Sequence, residues 1–135
     1  MGSRAVVKGL DHLVLTCKSV SATSNWYTKY LGMKAESFTS ASDPSTVRHA
    51  LKFGSHKINL HQQGNEFEPK ATTALPGTAD LCFLVQDGTS LEEAITIFEN
   101  DGIKVLEGGK IVARTGAQGP IRSIYVRDPD GNLIE

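Results

Sequence analysis

Cysteine is scarce in this sequence. Cys17 and Cys82 are the only two among 135 residues, and they stand far apart rather than in a Cys-x-x-Cys pair. A disulfide framework and a thiolate zinc knuckle are thereby excluded, and each cysteine, set in an apolar run, is expected to be a reduced core residue of an intracellular protein. Charge of one sign is also missing. Fourteen basic residues face 15 acidic ones, for a net charge of −1, so no field is available to hold nucleic acid or an anionic membrane. No stretch approaches the roughly 18 apolar residues of a membrane span, and the N-terminus lacks a signal-peptide core. Met1-Gly2-Ser3-Arg4-Ala5-Val6 begins like a myristoylation signal but has Val6 where Ser or Thr is needed. The expectations are a cytoplasmic protein that binds neither nucleic acid nor membrane, with a small molecule or a second protein as its partner. A chain of this length folds as one unit that buries about two thirds of its unfolded surface.

What is present is strong patterning. Residues 10–17 are rich in branched apolar side chains and read as a strand, after a tail over residues 1–9. Cap candidates over 19–24 precede Trp26, Tyr27, Tyr30 and Leu31 at helical spacing, and Gly32 ends the helix. Residues 33–39 are extended, 40–46 form a polar loop containing Asp43-Pro44, and 47–53 and 57–61 make a hairpin around Gly54-Ser55. A long connecting loop follows over 63–78, with Pro69, Pro76, Gly77 and the lone aromatic Phe67. Residues 79–85 then repeat the apolar strand. Ser90 with Glu93 forms a capping box for a helix whose buried face is Leu91, Ala94, Ile95 and Phe98, and Gly102 stops it. Residues 103–106 are extended, 114–119 form a polar, glycine-rich loop, and 121–126 with 132–135 close a second hairpin around Asp128-Pro129-Asp130-Gly131.

Strand, helix and three strands therefore occur twice, over residues 10–62 and 79–135. The helix-stopping glycines Gly32 and Gly102 stand 70 apart, and His12 and Asp80 stand 68 apart. Such a repeat predicts an α+β fold in which two βαβββ modules form a curved mixed sheet around a cavity. Strand alternation turns Leu13 and Leu15 toward the first helix and His12 to the opposite face; Asp80 and Cys82 are placed likewise in the second module. Aligning the hairpin turns matches Asn59 with Glu135 and leaves His61 two residues further along the same face. A histidine, two carboxylates, an amide and a second histidine on inward faces suit a divalent metal such as Ni, Zn, Mn or Fe. The ligands expected are His12, Asp80 and Glu135, with His61 and Asn59 as alternates.

Three segments carry a family likeness: Leu10-Asp11-His12-Leu13-Val14-Leu15, Ile58-Asn59-Leu60-His61, and Asp128-Pro129-Asp130-Gly131-Asn132-Leu133-Ile134-Glu135. The chain resembles the vicinal oxygen chelate (glyoxalase/bleomycin resistance/extradiol dioxygenase) superfamily over almost its whole length. The resemblance implies a glyoxalase/dioxygenase-like fold and a divalent metal that a substrate chelates through adjacent oxygens. It maps the family's first-strand histidine onto His12 and its last-strand glutamate onto Glu135, which would be catalytic. That last strand continues in the family past the position where this sequence stops. The chain departs from lactoylglutathione lyases at Asn59, where they carry a glutamate, and from many members at Asp80, where they carry a histidine.

The expected function is a metal-dependent enzyme of lyase, isomerase or dioxygenase type acting on a small oxygenated metabolite, without lactoylglutathione lyase activity. The alternative is a non-catalytic protein that binds or sequesters a small molecule with the same fold. Arg114, Arg122, Tyr125 and Phe67 are the candidate substrate-binding residues, with Lys110 nearby. Open sheet edges favour a homodimer.

Overall fold

A computed structural model of the chain describes Gly2 and residues 4–135; Met1 and Ser3, within the expected tail and the myristoylation-like stretch, lie outside the described residues. The chain divides into two compact units, Met1–Leu75 and Pro76–Glu135.

The first unit is one mixed sheet with a helix on one face. Strands β1 (His12–Cys17), β2 (Lys34–Ser40), β3 (Asp43–Phe53) and β4 (His56–Gln62) lie in the order β1-β4-β3-β2. β1 and β4 are parallel, and the other pairs are antiparallel. Helix α1 (Val20–Leu31) starts where the Ser19 hydroxyl accepts from the Ala22 amide at 3.2 Å, and it ends at Gly32, whose φ of 63° would strain any residue with a Cβ. Gln62 anchors the helix start to the sheet: its side chain accepts from Val20 N at 3.1 Å and donates to Lys18 O at 2.6 Å. Tyr27 and Thr23 of α1 are buried, as are Leu15, Cys17, Leu51, Ile58 and Leu60 of the sheet. Each large apolar member of this layer contributes roughly 1.5–3 kcal/mol by burial.

Alternation turns the other residues to the opposite face. By register His12, Val14 and Thr16 share it with Lys57, Asn59 and His61, and β3 and β2 add Arg48, Ala50, Lys52, Glu36 and Phe38. One expectation fails here: residues 40–46 are no open loop. β2 and β3 turn at Ala41-Ser42, and Asp43 already pairs with Ser40. The Asp43 carboxylate stiffens this start by accepting the Ser45 and Thr46 hydroxyls, each at 2.6 Å.

The second unit also runs from a strand into a helix, but four short strands follow instead of three, in a more broken sheet. β5 (Asp80–Leu81), β9 (Leu133–Ile134) and β8 (Val126–Arg127) form one sheet, and β6 (Val112–Gly116) with β7 (Gly119–Ser123) forms a hairpin. Helix α2 (Leu91–Asn100) is capped by the Ser90 hydroxyl, which accepts from Glu93 N at 3.1 Å; Phe98 is its buried residue. Leu91, Ala94 and Ile95 are half-buried.

Three sequence expectations are corrected in this unit. The strand expected over 79–85 is regular only at Asp80–Leu81 and keeps one further ladder bond, Phe83 N to Glu135 O at 2.8 Å, before Leu84 and Val85 turn out to solvent. The glycine-rich loop expected over 114–119 is the tip of the β6-β7 hairpin, with Ala117-Gln118 as its turn. Residues 103–106 add no strand; they contribute Leu106 N to Tyr125 O at 2.8 Å and run into a four-residue turn, α3 (Leu106–Gly109), in which Glu107 and Gly108 are left-handed.

The turn between β8 and β9 is a closed hydrogen-bond knot. Asp128 Oδ1 accepts from the backbone N–H of Asp130 and of Asn132, each at 2.9 Å, and Oδ2 accepts from the Asn132 amide at 2.8 Å. Asn132 Oδ1 in turn accepts from Ala79 N at 2.9 Å, tying the turn to the start of β5. Gly77 completes it: at φ 79° a Cβ there would stand 2.5 Å from the Asp130 carbonyl oxygen.

Candidate functional site

The expected site residues fall in both units. In the first, His12 opens β1 and faces the polar side of the sheet. Its Nδ1 lies 2.8 Å from Asp11 Oδ1, a solvent-exposed contact between neighbouring residues that leaves Nε2 as the ring nitrogen without this partner. The same contact lowers the pKa of Asp11, through the hydrogen bond first and the charge of His12 second. Asn59 is opposite Val14, two residues along from His12 and on the same face; its Oδ1 is buried without a hydrogen-bond partner. His61 is opposite Thr16, so it lies four positions from the level of His12, roughly 13 Å of strand. Its ring is buried edge-on against Phe67 at 5.3 Å between centroids. Burial first, and the Arg48 guanidinium second, push the His61 pKa below 6.5.

In the second unit Glu135 follows β9 and is fixed by its backbone: its N–H donates to Leu81 O at 2.8 Å, and its carbonyl accepts from Phe83 N at 2.8 Å. Cys82, between those two residues, faces the Glu135 carboxylate. Desolvation first, then the charge of Glu135, raise the Cys82 pKa and keep it a thiol. Contrary to the sequence expectation Cys82 is exposed and outside the core, whereas Cys17 is fully buried. Ser123 Oγ donates to Glu135 Oε2 at 2.7 Å. Tyr125 meets both Glu135 and Arg114; desolvation is the first cause of its raised pKa. Arg114 Nε donates to the Tyr125 hydroxyl at 3.1 Å. Glu135 is thus a carboxylate with hydroxyl and thiol donors around it. Asp80 is exposed on the same side of β5 as Cys82.

Arg114 and Arg122 do not act together. Arg114 is opposite Ile121 and Arg122 opposite Ala113, so they leave the hairpin on opposite faces. Arg122 is 2.8 Å from Glu92 with both side chains 65% exposed, a solvated ion pair. Lys110 is also exposed. Phe67 belongs to the first unit, where it packs against His61 and Arg48.

Sequence reasoning passed over Asp11, Arg48 and Ser123. Asp11 was legible only by adjacency to His12; Arg48 needed the β3 register, and Ser123, which pairs with Val112, meets Glu135 only through tertiary packing. Among the described residues no three His, Cys, Asp or Glu side chains gather into a group that could hold a metal. No described helix is long and apolar enough to cross a membrane.

The chain is 53% identical over 129 residues to glyoxalase domain-containing protein RDO1 of Mycosarcoma maydis, covering 96% of this chain and 67% of that protein. It is 48% identical over 130 residues to virulence protein STM3117 of Salmonella typhimurium, covering 96% and 83%. The crystal structure of STM3117 superposes with a TM-score of 0.80 at 45% identity, over 96% of this chain and 95% of that one. The fosfomycin resistance protein FosX of Listeria monocytogenes, solved with Mn(II) and 1S,2S-dihydroxypropylphosphonic acid, has the same fold at 19% identity and a TM-score of 0.61, over 96% and 88%. Residues 9–135 match the family model described as Glyoxalase/Bleomycin resistance protein/Dioxygenase superfamily. With the family model matching residues 9–135 and these relatives in agreement, the chain belongs to the glyoxalase/bleomycin resistance protein/dioxygenase superfamily.

Proposed function

We propose that this protein is a divalent-metal-dependent enzyme acting on a small oxygenated metabolite, with His12, Asp80 and Glu135 as metal ligands. The observation that carries this is the preparation of two donors. Asp11 Oδ1 lies 2.8 Å from His12 Nδ1, which leaves Nε2 as the ring nitrogen without that partner, and Ser123 donates to Glu135 Oε2 at 2.7 Å. Nitrogen and carboxylate donors suit Mn, Fe, Ni or Zn, and the Mn(II) complex of FosX supports a metal in this fold. A metal bound here would supply Lewis-acid polarisation of adjacent substrate oxygens.

Glu135 would also move the proton. Ser123, Tyr125 and Cys82 around its carboxylate orient it and would stabilise the charge it carries. Asn59, at the matching hairpin position, cannot take a proton at neutral pH. One base supports a single proton abstraction or activation of a nucleophile, and argues against the two-carboxylate shuttle of a lactoylglutathione lyase. Asn59 and His61 stand as alternate ligands, and Arg114 and Tyr125 as the substrate-binding pair beside Glu135; Arg122 and Phe67 have weaker claims from their own contacts. Within the superfamily the motifs look closest to glyoxalase domain-containing protein 5, a finer likeness than the relatives' names carry. The domain boundaries proposed are modules over about 10–62 and 79–135 with a connecting loop.

A second reading keeps the fold and ligand but not turnover, a sequestering protein; the amide at Asn59 favours it. Metal titration separates the readings at their root. Wild type is expected to bind one Mn(II) or Ni(II) per chain, and His12→Ala and Glu135→Gln to weaken it at least tenfold. Undiminished affinity in both variants contradicts the ligand assignment. We further propose a cytoplasmic homodimer: β1 and β5 are edge strands of their sheets, and Val14 on β1 is exposed. A single monomeric species in sedimentation at high concentration contradicts it.

A further inference from the structure

The sequence holds three Asp-Gly pairs, Asp87-Gly88, Asp101-Gly102 and Asp130-Gly131, and no Asn-Gly pair. Glycine has no side chain to crowd its amide nitrogen, so that nitrogen can reach the carboxyl of the preceding aspartate and close a five-membered ring. In a folded chain the reaction also requires that the glycine N–H be unoccupied and the backbone free to rotate.

Two of the pairs fail that requirement. Gly102 N donates to Glu99 O at 3.0 Å, and Asp101 N donates to Ile97 O and Phe98 O, each at 3.2 Å, at the end of α2. Gly131 N donates to Asp128 O at 3.0 Å, Asp130 N to Asp128 Oδ1 at 2.9 Å, and Asp130 is buried inside the knot between β8 and β9.

The third pair meets it. Asp87 and Gly88 are the central residues of a turn closed by Thr89 N to Gln86 O at 3.2 Å, and residues 84–89 are all exposed. Among the described residues neither the Gly88 N–H nor the Asp87 carboxylate has a hydrogen-bond partner. The space around Gly88 is open, with nothing within 4 Å of where a Cβ would stand. An exposed turn with so few contacts opens at little cost in free energy.

We propose that Asp87 is a site of spontaneous isoaspartate formation in the folded protein, and that the fold protects Asp101 and Asp130 from the same reaction. The Gly88 nitrogen attacks the Asp87 side-chain carboxyl carbon; the new C–N bond forms as the carboxyl hydroxyl leaves with the amide proton as water. Water then opens the succinimide at either carbonyl, which restores aspartate or reroutes the chain through the side-chain carbon, with no oxidant or reductant. The product adds one backbone carbon to the turn that leads to Ser90, the N-cap of α2.

The test ages the full chain in mildly acidic buffer for several weeks. Methyl transfer from labelled S-adenosylmethionine by an isoaspartyl methyltransferase counts the product, and Asp-N digestion with mass spectrometry locates it, because isoaspartate resists that cleavage. Asp87 is expected to convert at least about tenfold faster than Asp130 and at least about threefold faster than Asp101. In the urea-unfolded chain the three rates should converge to within about threefold, since only the fold separates them. Asp87→Glu, which keeps the charge but cannot close the five-membered ring, should remove most of the methyl acceptance of the folded protein, and Asp87→Asn should increase it through the same succinimide. Equal rates at the three sites in the folded protein, the same ranking retained in urea, or methyl acceptance undiminished in Asp87→Glu would each overturn the proposal.

Discussion

The Asp128 knot makes the most quantitative stability prediction. Asp128→Ala removes the acceptor of two buried backbone N–H groups and of the Asn132 amide. Leaving each of the three unpaired costs about 1–3 kcal/mol, so the loss should be roughly 3–9 kcal/mol, a large share of the 5–15 kcal/mol typical of a domain. Asn132 would also lose its orientation, and with it the bond to Ala79 N that fixes the start of β5. Asp128→Asn should fall between wild type and Asp128→Ala, because its one carbonyl oxygen still accepts the two backbone donors while its NH2 meets that of Asn132. Hydrogen exchange is the suitable assay. The amides of Ala79, Leu133 and Glu135 should lose protection in Asp128→Ala, and urea denaturation should report the loss in free energy. Protection at Ala79 unchanged, with stability within about 1 kcal/mol of wild type, would refute the reasoning.

Other predictions concern the same elements. Gly77→Ala should destabilise by at least about 1–3 kcal/mol through its positive φ and its collision with the Asp130 carbonyl, measured by denaturation. Cys17 is buried, so alkylation of the folded protein reports Cys82; Glu135→Gln removes the charge that helps to hold that thiol protonated and should speed reaction with iodoacetamide near pH 8 several-fold. The depressed pKa of His61 means that the unfolded chain takes up its proton first as pH falls. The His61 contribution to stability is therefore complete above about 6.5 and is lost as pH falls below it toward the lowered folded value. Denaturation across that range should show the decline in wild type and a smaller one in His61→Gln, and NMR titration should place the His61 pKa below 6.5.

The first unit was almost wholly legible, because β1, α1 and β4 each carry one dominant signal: a run of branched side chains, aromatics at helical spacing before Gly32, and the Gly54-Ser55 turn. The second was less so. Leu81-Cys82-Phe83-Leu84-Val85 has the composition of a strand, yet its regular pairing with β9 covers only Asp80–Leu81, and Leu84 and Val85 are exposed. Gly116 and Gly119 looked like loop residues because glycine marks a hairpin corner and an open loop alike; the register of Val112–Gly116 with Gly119–Ser123 decides between them. Side-chain direction told the same story for the site. Alternation placed His12 and Asn59 on one face of the sheet, whereas nothing local in the sequence says that Ser123 donates to Glu135 or that Arg48 stacks on Phe67. Those contacts join residues far apart in the chain, and only tertiary packing creates them.

The central claim is that His12 and Glu135 ligate one divalent metal. Anomalous diffraction from crystals grown with one equivalent of Mn(II) tests it most directly. The account predicts a single strong peak with His12 Nε2 and a Glu135 carboxylate oxygen at roughly 2.0–2.3 Å. A peak held by other residues, or no peak at stoichiometric metal, would contradict it.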